Sequence, residues 1–184
     1  KTLFPYTTLF RSPMPMARRR APEFQSWRPI DEGRLSFLLI HRNRRPKLAH
    51  YRHRKFNTKD TYPEQKLDND LCQAVVARGR MVFLRGQCPQ DLDTAKNIGS
   101  HDPVEQTHKV MQNIRQLVEE CGGRMEHVCK VVVYLTDVRH REAVYRTMGE
   151  YIRGVHPVST GVVVTALARP DWLVEIDATA VIPD

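Results

Sequence analysis

Five successive positions, Val131-Val132-Val133-Tyr134-Leu135, are apolar or aromatic, and three of them are β-branched. Alternate side chains of a strand point to opposite sides of a sheet, so this run predicts a strand covered on both faces. A helical stretch stands on either side of it. Asp102-Pro103-Val104-Glu105 reads as a capping box with proline at the first helical position. Apolar residues then recur three and four apart at Val104, Val110, Met111, Ile114, Leu117, Val118 and Cys121, and Gly122-Gly123 ends the helix. Thr136-Asp137 caps a second helix with Ala143, Val144, Met148, Tyr151 and Ile152 on its inner face, closed by Gly154.

Strand patterns lie outside the helices. Residues 71–77 and 81–85, joined by Arg78-Gly79-Arg80, predict a β-hairpin, stopped by Gln87-Cys88-Pro89 and followed by a loop over 90–101. Residues 160–167 and 172–181 predict two more strands. In the second, Val174, Ile176, Ala178 and Ala180 fall on one face, with Glu175, Asp177 and Thr179 on the other. The order β-β-α-β-α-β-β predicts an α+β sheet with both helices packed on one face, where right-handed crossovers place them. The other face of the central strand then needs cover, and a second copy of the chain is the simplest one.

The chain has 184 residues and a net charge of +8, unevenly divided. Residues 1–56 hold 14 Lys and Arg against 3 Asp and Glu, a charge of +11; the rest holds 15 against 18, a charge of −3. The first segment also carries half of the prolines and no sustained period, so 1–56 reads as a basic disordered tail and 57–184 as the folded domain. The opening KTLFPYTTLFRS resembles translated sequencing adapter, and Arg-, Pro- and His-rich text is what a GC-rich gene gives out of frame. The tail is therefore also readable as a reading-frame or adapter artefact. Its basic charge is assigned no function, and no nucleic-acid partner is expected; an RNA-binding arm is the reading that would revive it. The apolar stretch 35–40 is too short for a signal peptide or a membrane span, so a cytoplasmic protein is expected.

No G-x-G-x-x-G, P-loop, G-x-S-x-G or H-E-x-x-H motif occurs, which excludes the common routes to nucleotide binding, serine hydrolysis and zinc proteolysis. Cys72, Cys88, Cys121 and Cys129 form no C-x-x-C pair, and His101, His108, His127, His140 and His156 lack ligand spacing. Arg139-His140-Arg141 reads as a solvated charged face at a helix start.

Arg85-Gly86-Gln87, the helix over 105–123, the run from Cys129 to Asp137 and the closing Leu173-Val174-Glu175-Ile176-Asp177-Ala178 together resemble, in the same order over 71–183, the Rid family (YjgF-type, RidA-like). The resemblance implies a chorismate-mutase-like fold, a homotrimer and clefts between subunits that bind small ligands, with no metal or organic cofactor. The family's best-known members hydrolyse enamines and imines such as 2-aminoacrylate to a keto acid and ammonia. Its Ser-Gly-Gln corresponds to Arg85-Gly86-Gln87, and its last-strand carboxylate to Asp177. The arginine of its Pro-x-Arg-Ser pattern falls on Ser159, which puts the chain in a divergent branch lacking the deaminase arginine. Serine cannot make the paired charge-assisted bonds of an arginine fork, a loss of about 2–5 kcal/mol for a buried pair.

The resemblance implies a cleft lined by Arg85, Gly86, Gln87, Tyr134, Ser159, Gly161 and Asp177. Arg85 either supplies the charge missing at Ser159 or faces solvent or an interface acid, and either Asp177 or Glu175 is the cleft carboxylate. Three readings stay open: a binding protein for a small carboxylate or amine metabolite, an enamine/imine deaminase with Arg85 as clamp and Asp177 positioning water, and a regulatory or chaperone-like module with an empty cleft.

Overall fold

The computed structural model describes residues 50–98 and 101–184, which belong to one compact unit, Arg45–Asp184. Most of the expected tail lies outside the described residues. The elements run β1 (His50–Asn57), α1 (Thr58–Thr61), β2 (Asp70–Ala77), β3 (Arg80–Phe83), α2 (Pro103–Glu120), β4 (Val128–Leu135), α3 (Arg141–Ile152), β5 (Val158–Val163) and β6 (Val174–Ile182). The α+β class with two long helices stands as the sequence predicts.

Asp102 caps α2 by accepting from the Val104 N–H at 2.8 Å. Val110, Met111, Ile114 and Val118 of α2 and Val144, Met148 and Ile152 of α3 are buried against Val131, Val133 and Leu135 of β4 and Val174, Ile176, Ala178 and Ala180 of β6. Val104 and Cys121, expected on this face, are exposed. The 3.6-residue period carries the outermost turns of an 18-residue helix past the edge of the core.

Sheet pairing departs from the expectation. β3 and β6 are antiparallel, β6 and β4 antiparallel, and β4 and β5 parallel, giving the order β3-β6-β4-β5. β2 pairs instead with β1, in the register Lys55↔Cys72 and Asn57↔Asp70. The predicted hairpin is therefore a crossing between two sheets. Gly79, at φ +141, passes so close to the Ile182 carbonyl that no Cβ fits there, and this contact delivers β3 to the edge of β6 rather than back to β2. The Cys72 N–H donates to Pro157 O at 3.1 Å, tying the smaller sheet to the entrance of β5.

β1 starts seven residues before the expected domain boundary at Asn57. Its sequence HYRHRKFN hides a strand because an arginine fills an inward position. Arg52 donates through Nε to His156 O (3.1 Å) and through Nη2 to Glu126 O (2.8 Å) and Val128 O (3.1 Å).

Directly paired residues share a sheet face, so Phe83, Thr179 and Lys130 stand together, as do Asp177, Val132 and Thr160, and Glu175, Tyr134 and Val162. This face is turned away from the helix-packed core. Among the described residues no helix is long and apolar enough to cross a membrane.

Candidate functional site

Where β3 ends, the chain bridges to β6: the Gln87 N–H donates to Ile176 O at 2.9 Å, and the Ile176 N–H to Gln87 O at 3.0 Å. The Gln87 side chain, buried, closes the turn by donating to Arg85 O at 2.7 Å. Gly86 lies flat against the carboxylates of β6. A Cβ there would run into Glu175 Oε1 and come within 3.0 Å of Asp177 Oδ1. Glycine at this position is what lets both acids reach the backbone.

The two acids lie on the open sheet face with Tyr134, whose hydroxyl donates to Asp177 Oδ2 at 3.1 Å. That bond, and then the Asp177 charge, hold the phenol above its usual range. Cys88 sits beneath the same cluster. Burial, then the charge and hydrogen bond of Glu175, push its thiol up to about 12 against the opposing pull of Arg85. A thiol so held is no nucleophile at neutral pH. Tyr134, Glu175 and Asp177 line a cavity of about 330 Å³, walled by Val164, Ala166, Leu167 and Ala168. Arg85 and Gln87 line a neighbouring cavity of about 200 Å³ with Cys88 and Asn113.

Ser159 and Gly161 belong to a third cavity, of about 190 Å³, between β5, the start of α3 and the segment after β1. The Ser159 and Tyr145 hydroxyls are 3.5 Å apart. A Cβ at Gly161 would strike the Tyr145 hydroxyl, so this glycine makes room for the phenol. Arg141 lies over the Tyr145 ring with Cζ 4.8 Å from its centre, and its Nη2 donates to Gln65 Oε1 at 3.0 Å.

The residues expected in one cleft thus fall into two groups within a subunit. Arg85, Gly86, Gln87, Tyr134 and Asp177 gather around the end of β3 and the open face; Ser159 and Gly161 open elsewhere. The pairing Ser159↔Val131↔Ala178 puts Ser159 level with the core-facing residues, whereas Asp177 is on the opposite face. Two strands, β6 and β4, stand between Arg85 and Ser159, a separation of about 14 Å at normal strand spacing. Arg85 therefore does not supply the charge missing at Ser159 of its own chain. Arg141, read from sequence as solvated, is the arginine that reaches that cavity. The available signal was its spacing, four residues before Tyr145 on one helix face. Arg139, its neighbour, is exposed, as expected of a solvated charged face, and pairs with Asp137.

The family model described as Endoribonuclease L-PSP matches residues 65–182. Protein DfrA of Myxococcus xanthus is 38% identical over 110 residues, covering 59% of this chain and 82% of that protein. A RutC family protein of Pyrococcus abyssi is 35% identical over 102 residues, 55% of this chain and 79% of its own length. The crystal structure of YyfB from Yersinia pestis, a Rid family protein of unknown function, superposes with a TM-score of 0.59 over 73% of this chain and all of that one; at 23% identity it speaks for the fold. With the family model spanning well over half of the sequence, and with this strand and helix order, the chain belongs to the YjgF/RidA family.

Proposed function

We propose that the chain assembles as a homotrimer in the cytoplasm and binds a small metabolite bearing a carboxylate or an amine in clefts between its subunits. One observation carries this reading: the open sheet face holds Glu175, Asp177 and Tyr134, and around them Met81, Phe83 and Val162 stand 60, 72 and 40% exposed. Apolar surface left in water costs about 25 cal/mol per Å², and a symmetric copy removes it. The same cover turns the carboxylates into one wall of a cleft, with Arg85 and Gly86 at its edge. Four unpaired thiols, Cys72, Cys88, Cys121 and Cys129, fit a reducing compartment. The family model's name attributes RNA cleavage to its family; here Glu175 and Asp177 repel phosphate, which argues against RNA as the ligand.

The deaminase alternative draws on the Tyr134–Asp177 hydrogen bond, which orients a carboxylate suited to hold a water against an imine carbon. The water oxygen would bond to that carbon, the C–N bond would break, and the nitrogen would leave as ammonia with the transferred protons. Semicarbazide trapping of imines released by an amino-acid oxidase tests it. Reduced semicarbazone yield in the presence of the protein supports the alternative, and unchanged yield at micromolar protein retires it. Binding itself is tested by melting temperature, because a ligand held only by the native state must raise it. No rise with any of a panel of keto acids, amino acids and amines overturns the binding reading.

A further inference from the structure

On the helix side of the sheet, α3 carries its exposed charges in an alternating row. Glu142, Arg146 and Glu150 stand one turn apart, and Arg139 precedes them in the 3-10 turn Val138–His140. All four are exposed, and all four line one groove of about 490 Å³ with Ala143, Thr147 and Val104 of α2. The signs from Arg139 to Glu150 therefore run plus, minus, plus, minus along a single face. Glu142 and Arg146 pair at 2.5 Å within the helix, and Arg139 pairs with Asp137. Glu150 makes no ion pair among the described residues.

Read backwards, the row has the opposite signs. We infer that this face of α3 is a self-association surface that takes a second copy of the chain antiparallel across a two-fold axis at the level of Val144. Glu142 then faces the second copy's Arg146, and Arg139 faces its Glu150, with both contacts repeated by symmetry. The two sets of mirror positions agree to within one residue, about 1.5 Å of helix rise, which an arginine side chain spans. A parallel copy would set like charges against each other instead. Ala143, close to the axis, keeps the helices free to approach, while Val104 and Val138, 38 and 63% exposed, supply apolar surface to bury. Because Glu142 and Arg146 are already joined in each helix, the two pairs meet as a four-charge network with little further ordering. Exposed ion pairs contribute little and the contact is small, so the pairing is weak and joins the units present at micromolar concentration only as concentration rises.

Sedimentation equilibrium of the full chain from micromolar to millimolar protein at low salt tests it. The weight-average mass is expected to rise to at least twice its micromolar value, and the rise to vanish in molar salt, where the screening length falls to about 3 Å. Glu142→Arg and Arg146→Glu should each abolish the rise, because like charges then meet at the axis. Mixing these two variants should restore it, since the positive centre of one meets the negative centre of the other. The exchange Glu142→Arg with Arg146→Glu in one chain inverts both signs and should restore it as well. Helical content equal to wild type by circular dichroism shows that each variant is folded. A wild-type mass that stays constant with concentration overturns the surface. A rise that survives in both single variants assigns self-association to another part of the chain and overturns it too, as does a loss in the single variants that mixing fails to recover.

Discussion

At the scale of single residues, the site is shaped as much by what is missing as by what is present. Gly86 lets Glu175 and Asp177 close onto the backbone, so Gly86→Ala is expected to push both carboxylates away and to lower the melting temperature, by an amount typical of backbone-strain variants, about 1–3 kcal/mol in stability. Denaturant titration reads it; an unchanged midpoint would mean that the acids do not need the space. Asp91 gives a pH signature. The Lys109 hydrogen bond, then those of Thr94, hold its carboxyl far below 3.8, so its stabilisation is present above the unfolded value and is lost as pH falls below about 4. Asp91→Asn should therefore lose less stability than the wild type between pH 5 and pH 3. Of the site residues, Arg85, Gly86, Gln87, Tyr134 and Asp177 were legible from sequence as a neighbourhood. Arg141 was not, because an arginine beside two other basic residues at a helix start has the same local pattern whether it meets solvent or a tyrosine ring.

At the scale of elements, helices and the inward alternation of β6 are readable because their period is set by one buried face. Pairing is not. β2 and β3 carry strand-like sequences around a glycine, yet their partners are β1 and β6, and only the long-range contact of Gly79 with the end of β6 distinguishes a crossing from a hairpin. β1 carries no strand pattern in the sequence because Arg52 takes an inward position and binds three carbonyls. Arg52→Met should then destabilise the domain by about 1–3 kcal/mol, and a urea midpoint equal to wild type would put β1 outside the cooperative unit. Polar residues inside α2 make the same point. Gln106, fully buried, donates to Asp171 O and accepts from the Leu173 N–H, both at 2.8 Å, and so pins the start of β6 to the helix. Gln106→Leu leaves two backbone groups unpaired and should cost about 2–4 kcal/mol in the same titration.

At the scale of the whole molecule, a five-residue apolar strand covered by helices on one side already implies that the other side needs a partner, and the exposed Phe83 and Met81 extend that face. The α+β class was legible because α2, α3 and alternate residues of β4 and β6 share one buried core, while cover for the other face belongs to the proposed assembly. The division of the site between the open face and the Ser159 cavity was not legible, because it depends on which face each strand position takes once β6 and β4 stand between β3 and β5. Phe83→Glu places a charge on the exposed apolar edge of the open face and is expected to give single chains that keep their helices by circular dichroism. The molar mass of the wild-type protein in solution, measured by light scattering, tests the proposed assembly most directly. Three times the 21.4 kDa of one chain is expected; a mass of one chain at micromolar concentration would contradict the homotrimer.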